Sequence, residues 1–337
     1  MTEPIDFSAC ERLPGRAYNG ANGKKIAVRF EGAVWLVKFP PSTAEKPTTL
    51  SYSNSCYSEH LASTIANMIG LKSQETRLGT FTNGKTKTVC ACRDFTADGK
   101  TLYDFCSIKN TVIDSETNGT GTELDDVLET IELQSFVDPI ELKSHFWDMF
   151  VVDAFLGNFD RHNGNWGFLV DPVTRKAEIA PAYDFGSCLL PQADDDIMRR
   201  VINDKAERDA RIYNFPASAL KQNGKKIGYV DFISANRSGV LAPSLSRIVP
   251  RIDLAAINAF IYDTPLLSDL QRQFYKTYLA ARYEALFGLQ CSMPASVRDV
   301  AGIIPSGVDV EQEIRNHAIE KYLRRKSTSE ASHLEEA

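Results

Sequence analysis

The sequence predicts an α+β protein built of two unlike parts, a small β-rich N-terminal lobe and a larger, mainly α-helical C-terminal lobe. Short β-branched and aromatic runs separated by Asn-Gly and Glu-Gly turns crowd the first 95 residues, whereas apolar positions at helical spacing dominate from about residue 100. A length of 337 residues exceeds one average domain and allows two lobes with ample core.

In the N-terminal part, Ile26 to Phe30, Val34 to Phe39, Thr76 to Thr82 and Thr88 to Cys92 read as strands, with turns at Asn22-Gly23, Glu31-Gly32 and Asn83-Gly84. They predict a small antiparallel sheet around one helix, Ser55 to Ile69, that stops at Gly70. Helical patterns then run over 122–133, 138–156, 252–262, 266–287 and 309–326, with breaks at Asp263-Thr264-Pro265 and Gly288. The helix from 138 has Asp138 as N-cap, Pro139 at its first position, Glu141 in its first turn and Gly157 as its stop. Its apolar residues cover more than one face, from Leu142 and Phe146 to Phe155 and Leu156, so it is expected to be buried and to form a rigid mount for the loop beyond Gly157. Asn110 to Thr122 reads as a loop and the polar tail from Ser327 as disordered, and there is no internal repeat.

Composition is that of a globular protein, 43% hydrophobic and 24% charged, which excludes disorder as the default. A net charge of −6 gives no general pull toward nucleic acid, and the basic run Lys321 to Lys326 is short and sits beside an acidic tail. No apolar stretch has membrane-spanning length and no basic segment leads into an apolar run at the start, so a cytoplasmic protein without a membrane partner is expected. Seven scattered cysteines without C-x-x-C spacing argue against a disulfide framework or a zinc site.

The chemistry is concentrated in Gly157-Asn158-Phe159-Asp160-Arg161-His162-Asn163-Gly164-Asn165 and in Tyr183-Asp184-Phe185-Gly186. An acceptor hydroxyl needs a base beside it, and a triphosphate needs a divalent cation held by oxygen ligands. Asp160 suits the first role, and Asn165 with Asp184 the second. Between them Trp166 to Val170 and Ala177 to Ala182 are apolar and strand-like around a turn at Asp171-Pro172, so a hairpin would bring Asp184 back toward Asn165. Either motif alone would pass for an ordinary turn; the pair at this spacing points to magnesium-dependent phosphoryl transfer.

The strand-rich part offers the opposing wall. In Val34 to Phe39, alternation sends Trp35 and Val37 one way and Leu36 and Lys38 the other, and a lysine on an otherwise apolar strand wants a partner. Glu59, early in the first helix, is the candidate for a pair that places phosphates. Upstream, the turn Gly15 to Lys25, with Gly20, Gly23 and Lys24, would let backbone N–H groups close on phosphate oxygens. Gly79 to Thr86 matches the Walker pattern G-x-x-x-x-G-K-T, but that loop requires a helix directly after it. Here the β-prone Thr88 to Cys92 comes next, so a hairpin is expected instead.

These residues resemble those of the HipA-like kinases, more narrowly the short serine/threonine kinases of the CtkA type. The likeness runs through Gly20 to Lys24, Val37 to Pro40, Ser58-Glu59, Ala91 to Phe95, Gly157 to Asn165 and Pro181 to Asp184. It implies a bilobal protein-kinase-like fold, with residues 1–95 as nucleotide-binding lobe, 96–326 as catalytic lobe and 327–337 as tail. Position by position it implies Asp160 as catalytic aspartate, Asn165 and Asp184 as Mg²⁺ ligands, and Lys38, paired with Glu59, as the phosphate-binding lysine. ATP would contact Gly20, Ala21, Asn22, Gly23, Lys24, Lys38, His162, Asn163 and Tyr183, with adenine on the backbone of Cys92, Arg93 and Asp94. His162 is assigned to loop support at the catalytic site. The implied partner is a protein bearing Ser or Thr, and an antitoxin-like partner is compatible with the resemblance. The family's inactivating phosphoserine in the glycine-rich loop is not expected, because no serine lies between Gly15 and Lys25. The same motifs also resemble phosphatidylinositol kinases, though Asp194-Asp195-Asp196 makes a poor membrane-facing segment. A nucleotide-binding pseudokinase is the remaining alternative, opposed by the presence of all five chemical residues.

Overall fold

Residues 4–16, 24–41, 53–113 and 117–288 are described by the computed structural model, and all lie in one compact unit that extends to Cys291. The expected phosphate-turn residues Gly20, Ala21, Asn22 and Gly23, the helix over 309–326 and the tail from Ser327 lie outside the described residues.

A six-stranded sheet is formed by β1 (Ile5–Asp6), β2 (Glu11–Arg12), β3 (Lys25–Phe30), β4 (Ala33–Lys38), β5 (Thr76–Asn83) and β6 (Lys85–Arg93), in the order β1-β5-β6-β4-β3-β2. Each predicted strand is there, with its ends shifted by one to three residues. The Glu31-Gly32 turn between β3 and β4 has positive φ at both residues, 48° and 74°, which suits the twist of a tight hairpin. Alternation on β4 is as read: Trp35 and Val37 pack with Phe7, Val28 and Phe81 on one face, and Leu36 packs with Leu78, Cys90 and Cys92 on the other. The second face is covered by α1 (Ser55–Met68), which contributes Cys56.

The Walker-like run is the β5–β6 hairpin, with Thr82 opposite Thr86 and Gly84 at φ 73° in its turn. Its first glycine has a packing reason: β1 runs parallel to β5, and a Cβ on Gly79 would strike the Ile5 carbonyl and the Phe7 ring. That short parallel strand carried no pattern of its own in the sequence.

The helical part comprises α2 (Phe105–Val112), α3 (Leu124–Leu133), α4 (Pro139–Leu156), α5 (Asp195–Asn203), α6 (Lys205–Asp209), α7 (Tyr229–Asn236), α8 (Ala242–Ile248), α9 (Leu254–Asp263) and α10 (Asp269–Phe287). The predicted loop from Asn110 is helical as far as Val112, the end of α2. Inserted among the helices are a three-stranded sheet, β7 (Thr101–Asp104), β8 (Gly167–Val170) and β9 (Ala177–Ile179), and a hairpin, β10 (Lys221–Gln222) and β11 (Lys225–Lys226). The central helix is α4, buried along much of its length from Leu142 to Leu156 against α3, α8 and α10. Asp138 accepts from the Ile140 N–H at 2.9 Å and Pro139 needs no partner, as its cap motif requires. At the other end the fully buried Arg282 of α10 donates to the carbonyls of Ala154 and Phe155, satisfying groups that the helix leaves open.

Two partly buried histidines couple this packing to pH. His60 of α1 pairs through Nδ1 with the Thr76 hydroxyl at 3.0 Å, and His145 lies on α4. Burial pushes both from 6.5 down to about 4; the Arg77 charge adds to the effect at His60, whereas Asp148 opposes it at His145. Folded protein keeps them neutral while unfolded chain protonates them, so their contribution is intact above pH 6.5 and is lost as pH falls toward about 4. Between about pH 7.5 and about pH 5.5 each should remove about 1 kcal/mol from the unfolding free energy. Urea unfolding at the two values, with His145→Gln showing the smaller drop, checks this; an unchanged midpoint refutes it.

Candidate active site

Gly157 ends α4 in the left-handed region, φ 67°, where a Cβ would meet the Tyr278 hydroxyl at 2.6 Å and the Pro216 ring at 3.0 Å. The chain therefore turns sharply and leaves Asn158 to Asn165 across the end of the helix. Asn158 is fully buried; its amide donates to Asp153 Oδ1 at 2.8 Å and its Oδ1 accepts the Asp160 N–H at 3.1 Å. Arg161 turns inward, 6% exposed, and grips the Asp153 carboxylate of α4 with Nε at 2.9 Å and Nη2 at 3.2 Å. Its Nη1 donates to the carbonyls of Asn165, at 2.9 Å, and Tyr183, and its plane lies 4.5 Å from the Phe185 ring centroid. One guanidinium thus draws together α4, the Asp160 loop and the Asp184 segment.

The β8–β9 hairpin forms as the sequence implied, and its return strand delivers Tyr183, whose hydroxyl donates to the Gly164 carbonyl at 3.0 Å. Next to it Asp184 adopts φ 62°, a left-handed conformation that costs a non-glycine residue about 1–3 kcal/mol unless its surroundings hold it. Here they do: Lys38 Nζ lies 3.0 Å from Asp184 Oδ1 and 3.0 Å from Glu59 Oε2. Glu59, 2% exposed, commits its other oxygen to the Phe185 N–H at 3.2 Å. Any side chain at Gly186 would press on that carboxylate, since a Cβ there sits 3.2 Å from Glu59 Oε2. Strand β4, helix α1 and the Asp184 segment meet at this one lysine.

The electrostatics arise from these contacts. The Lys38 charge holds the Asp184 carboxyl down to about 2. The side chain is 49% exposed, so the cation beside it and not the protein interior sets that value. Burial works against the Lys38 ammonium, but Asp184 and Glu59 outweigh it and keep its pKa well above the ordinary one. Asp160 is displaced the other way: burial raises its carboxyl, opposed by His162, Lys226 and Arg161. Asn165, 5% exposed, commits its amide nitrogen to the Asp160 carbonyl at 2.8 Å, which leaves the oxygen end as its remaining polar atom. Carboxylate and amide oxygens without sulfur or imidazole form a hard donor set, which fits a magnesium-like cation.

The other predicted residues divide. His162 is exposed and its Nδ1 accepts the Gly164 N–H at 3.0 Å, a loop-supporting contact. Asn163 is 2% exposed and its amide donates to the carbonyls of Gly119 and Gly121, both at 2.8 Å, so it braces the neighbouring turn. Cys92 is buried on β6 beneath Glu59. The backbone along 92–94, where the adenine contact is expected, has partners within the protein. The Arg93 N–H donates to Glu75 O and its carbonyl accepts from Gln74 Nε2, while the Asp94 N–H donates to Val34 O, so these groups are already satisfied. The Asp94 carboxylate is tied to Arg16 and to the Thr96 N–H and hydroxyl. Lys24 lies over the Phe39 ring at 5.5 Å.

Three residues with a part in the site were not singled out from the sequence. Asp153 was legible as the one carboxylate in an otherwise apolar stretch of α4, and Arg161 as the cation nearest to it. Lys25, directly opposite Lys38 in the β3–β4 register, shares its face of the sheet and had no such signal.

A strand-rich lobe that presents a lysine and its glutamate to an aspartate on a helical lobe is the arrangement of a kinase-fold phosphotransferase, and this protein is one. The family model of the HipA-like C-terminal domain matches residues 17–252, and the chain belongs to that family. The serine/threonine-protein kinase CtkA of Helicobacter pylori strain J99 is 48% identical over 282 residues, covering 82% of this chain and 85% of the relative. The crystal structure of the Helicobacter pylori proinflammatory kinase CtkA superposes with a TM-score of 0.78 at 47% identity, over 84% of this chain and 96% of that one.

Removing one member of the buried Arg161–Asp153 pair should be costly. Asp153→Ala leaves an uncompensated guanidinium and should lower the unfolding free energy by about 3–5 kcal/mol, whereas Asp153→Leu combined with Arg161→Met should lose clearly less. Chemical unfolding of the single and double variants measures the coupling, and additive losses would show that the two charges do not act together.

Proposed function

We propose that this protein is an ATP- and Mg²⁺-dependent serine/threonine protein kinase, able also to phosphorylate itself. The observation that carries the reading is Lys38 bridging Glu59 and Asp184 opposite a loop that holds Asp160 and Asn165 in one braced unit. The kinship with CtkA supports the choice of a protein hydroxyl as acceptor.

In this reading Asp160 orients the acceptor hydroxyl and takes its proton as the oxygen attacks the γ-phosphorus, while the bridging β–γ oxygen departs with ADP. Its pKa, raised by burial, makes the carboxylate a better proton acceptor than a solvated aspartate. Asn165 and Asp184 hold the divalent cation, which when bound offsets charge on the phosphates. Lys38 binds phosphate oxygens and Glu59 keeps it aimed into the cleft. Tyr183 and His162 would lie beside the nucleotide. Residues 1–95 then serve as nucleotide lobe and 96–326 as catalytic lobe. An antitoxin-like partner rests on the family resemblance alone.

Purified protein with γ-labelled ATP should transfer label to Ser or Thr, and Asp160→Ala should lower the rate by about 10²–10⁴-fold. Asp184→Ala should abolish dependence on added Mg²⁺ together with most of the activity. Nucleotide binding without any transfer would identify a pseudokinase instead, and equal label in wild type and both variants would expose a contaminant.

A further inference from the structure

The β10–β11 hairpin has no part in the fold's hydrophobic core, yet it is held with care. Its six residues, Lys221 to Lys226, are all exposed, and the two-residue turn Asn223-Gly224 has φ 54° and 74°, the tight type that Asn-Gly supports. An isolated two-stranded hairpin of this length would be marginal in water. Instead, the Gly224 N–H donates to Glu123 Oε1 at 2.9 Å and the Lys221 N–H to Thr122 O at 2.8 Å. The segment that receives these bonds is fixed in turn. Buried Lys109 donates to Gly121 O at 2.9 Å and lies 3.0 Å from Asp126, and Asn163 of the Asp160 loop donates to the Gly119 and Gly121 carbonyls. An unbroken chain of hydrogen bonds therefore runs from the Asp160 loop through residues 119–123 to the hairpin.

What the hairpin presents is positive charge. Lys221 stands directly opposite Lys226, so their side chains share one face, an arrangement that like charges disfavour. Neither these two nor Lys225 has a carboxylate within ion-pair distance among the described residues. Three unpaired lysines in six residues stand out in a chain whose net charge is −6. The patch borders an open groove of about 310 Å³ that runs from Gln222, Lys225 and Lys226 to Asp231 and Phe232 of α7.

We propose that this hairpin is the acceptor-docking element of the enzyme, with the Lys221–Lys226 pair receiving a carboxylate of a peptide whose Ser or Thr lies at Asp160. The proposal rests on the kinase reading of Asp160 and adds to it a substrate class, hydroxyl acceptors flanked by Asp or Glu. A carboxylate between the two ammonium groups relieves their repulsion, and a peptide seated in the groove beside them extends toward the Asp160 loop, to which the hairpin is linked through residues 119–123. Between Asp160 and Asn165 the one Lys or Arg, Arg161, turns inward to Asp153.

The test is a set of Ser/Thr peptides with acidic residues placed at successive flanking positions, beside neutral versions, labelled by wild type and by Lys221→Glu/Lys226→Glu. Wild type should favour an acidic peptide in kcat/KM by at least about tenfold, mostly through a lower peptide KM, and the preference should shrink with added salt. In the double variant the acidic-to-neutral ratio should fall to one or below, and Lys221→Arg/Lys226→Arg should restore it. An equal ratio in wild type and the charge-reversed variant overturns the docking role while leaving the kinase reading intact. A loss confined to kcat and equal for both peptides overturns it in favour of a contact with the transferring phosphate. Label on phosphatidylinositol vesicles in place of peptide, lost in the same variant, overturns it in favour of a lipid acceptor. No label from wild type on any acceptor overturns the kinase reading and the docking role together.

Discussion

The buried pair of Arg161 and Asp153 is the contact on which the geometry of the cleft floor depends. Taking two charges out of water is expensive, and a pair of apolar residues would hold the same volume at less cost. What apolar residues would not supply is direction. Arg161 aims two nitrogens at Asp153 and a third at the carbonyls of Asn165 and Tyr183, and it covers the Phe185 ring with its face. The Asp160 loop, the amide at Asn165 and the carboxylate at Asp184 are thereby indexed to the buried helix α4. Asn158 and Arg282 secure the same helix end from two further sides.

Above this floor, the position of Lys38 is set by competition among charges. Burial disfavours the ammonium, two carboxylates more than compensate, and Lys25 lies opposite as a second cation on the same face. Lys25 and Lys38 with Glu59 and Asp184 make a balanced set of two positive and two negative charges. The left-handed backbone of Asp184 fits the same scheme, being held by Lys38 on one side and by the Phe185 N–H on Glu59 on the other.

Two like-charged cross-strand pairs are present, Lys25 with Lys38 and Lys221 with Lys226. Glu59 and Asp184 stand beside Lys38 in the first, and among the described residues no carboxylate lies within ion-pair distance of the second.

The sequence by itself determined the elements with strong local signals: the strands of the N-terminal sheet, α1, the capped and all-round apolar α4, and the hairpin between Asn165 and Asp184. It also singled out Asp160, Asn165, Asp184, Lys38 and Glu59 as candidates, of which the structure joins Lys38, Glu59 and Asp184 in one ion-paired group and Asp160 with Asn165 in one loop. Short or polar elements such as β1, α5, α6 and the β10–β11 hairpin escaped it, since their periods are too brief to show and their order comes from tertiary bonds. Only the tertiary structure decided that Gly79 serves a parallel strand and not a phosphate loop, that Asn163 braces a turn, and that the amides of Arg93 and Asp94 are occupied. Each of these depends on which backbone groups from distant segments find one another, and hydrogen-bond partners far apart in sequence leave no period along the chain.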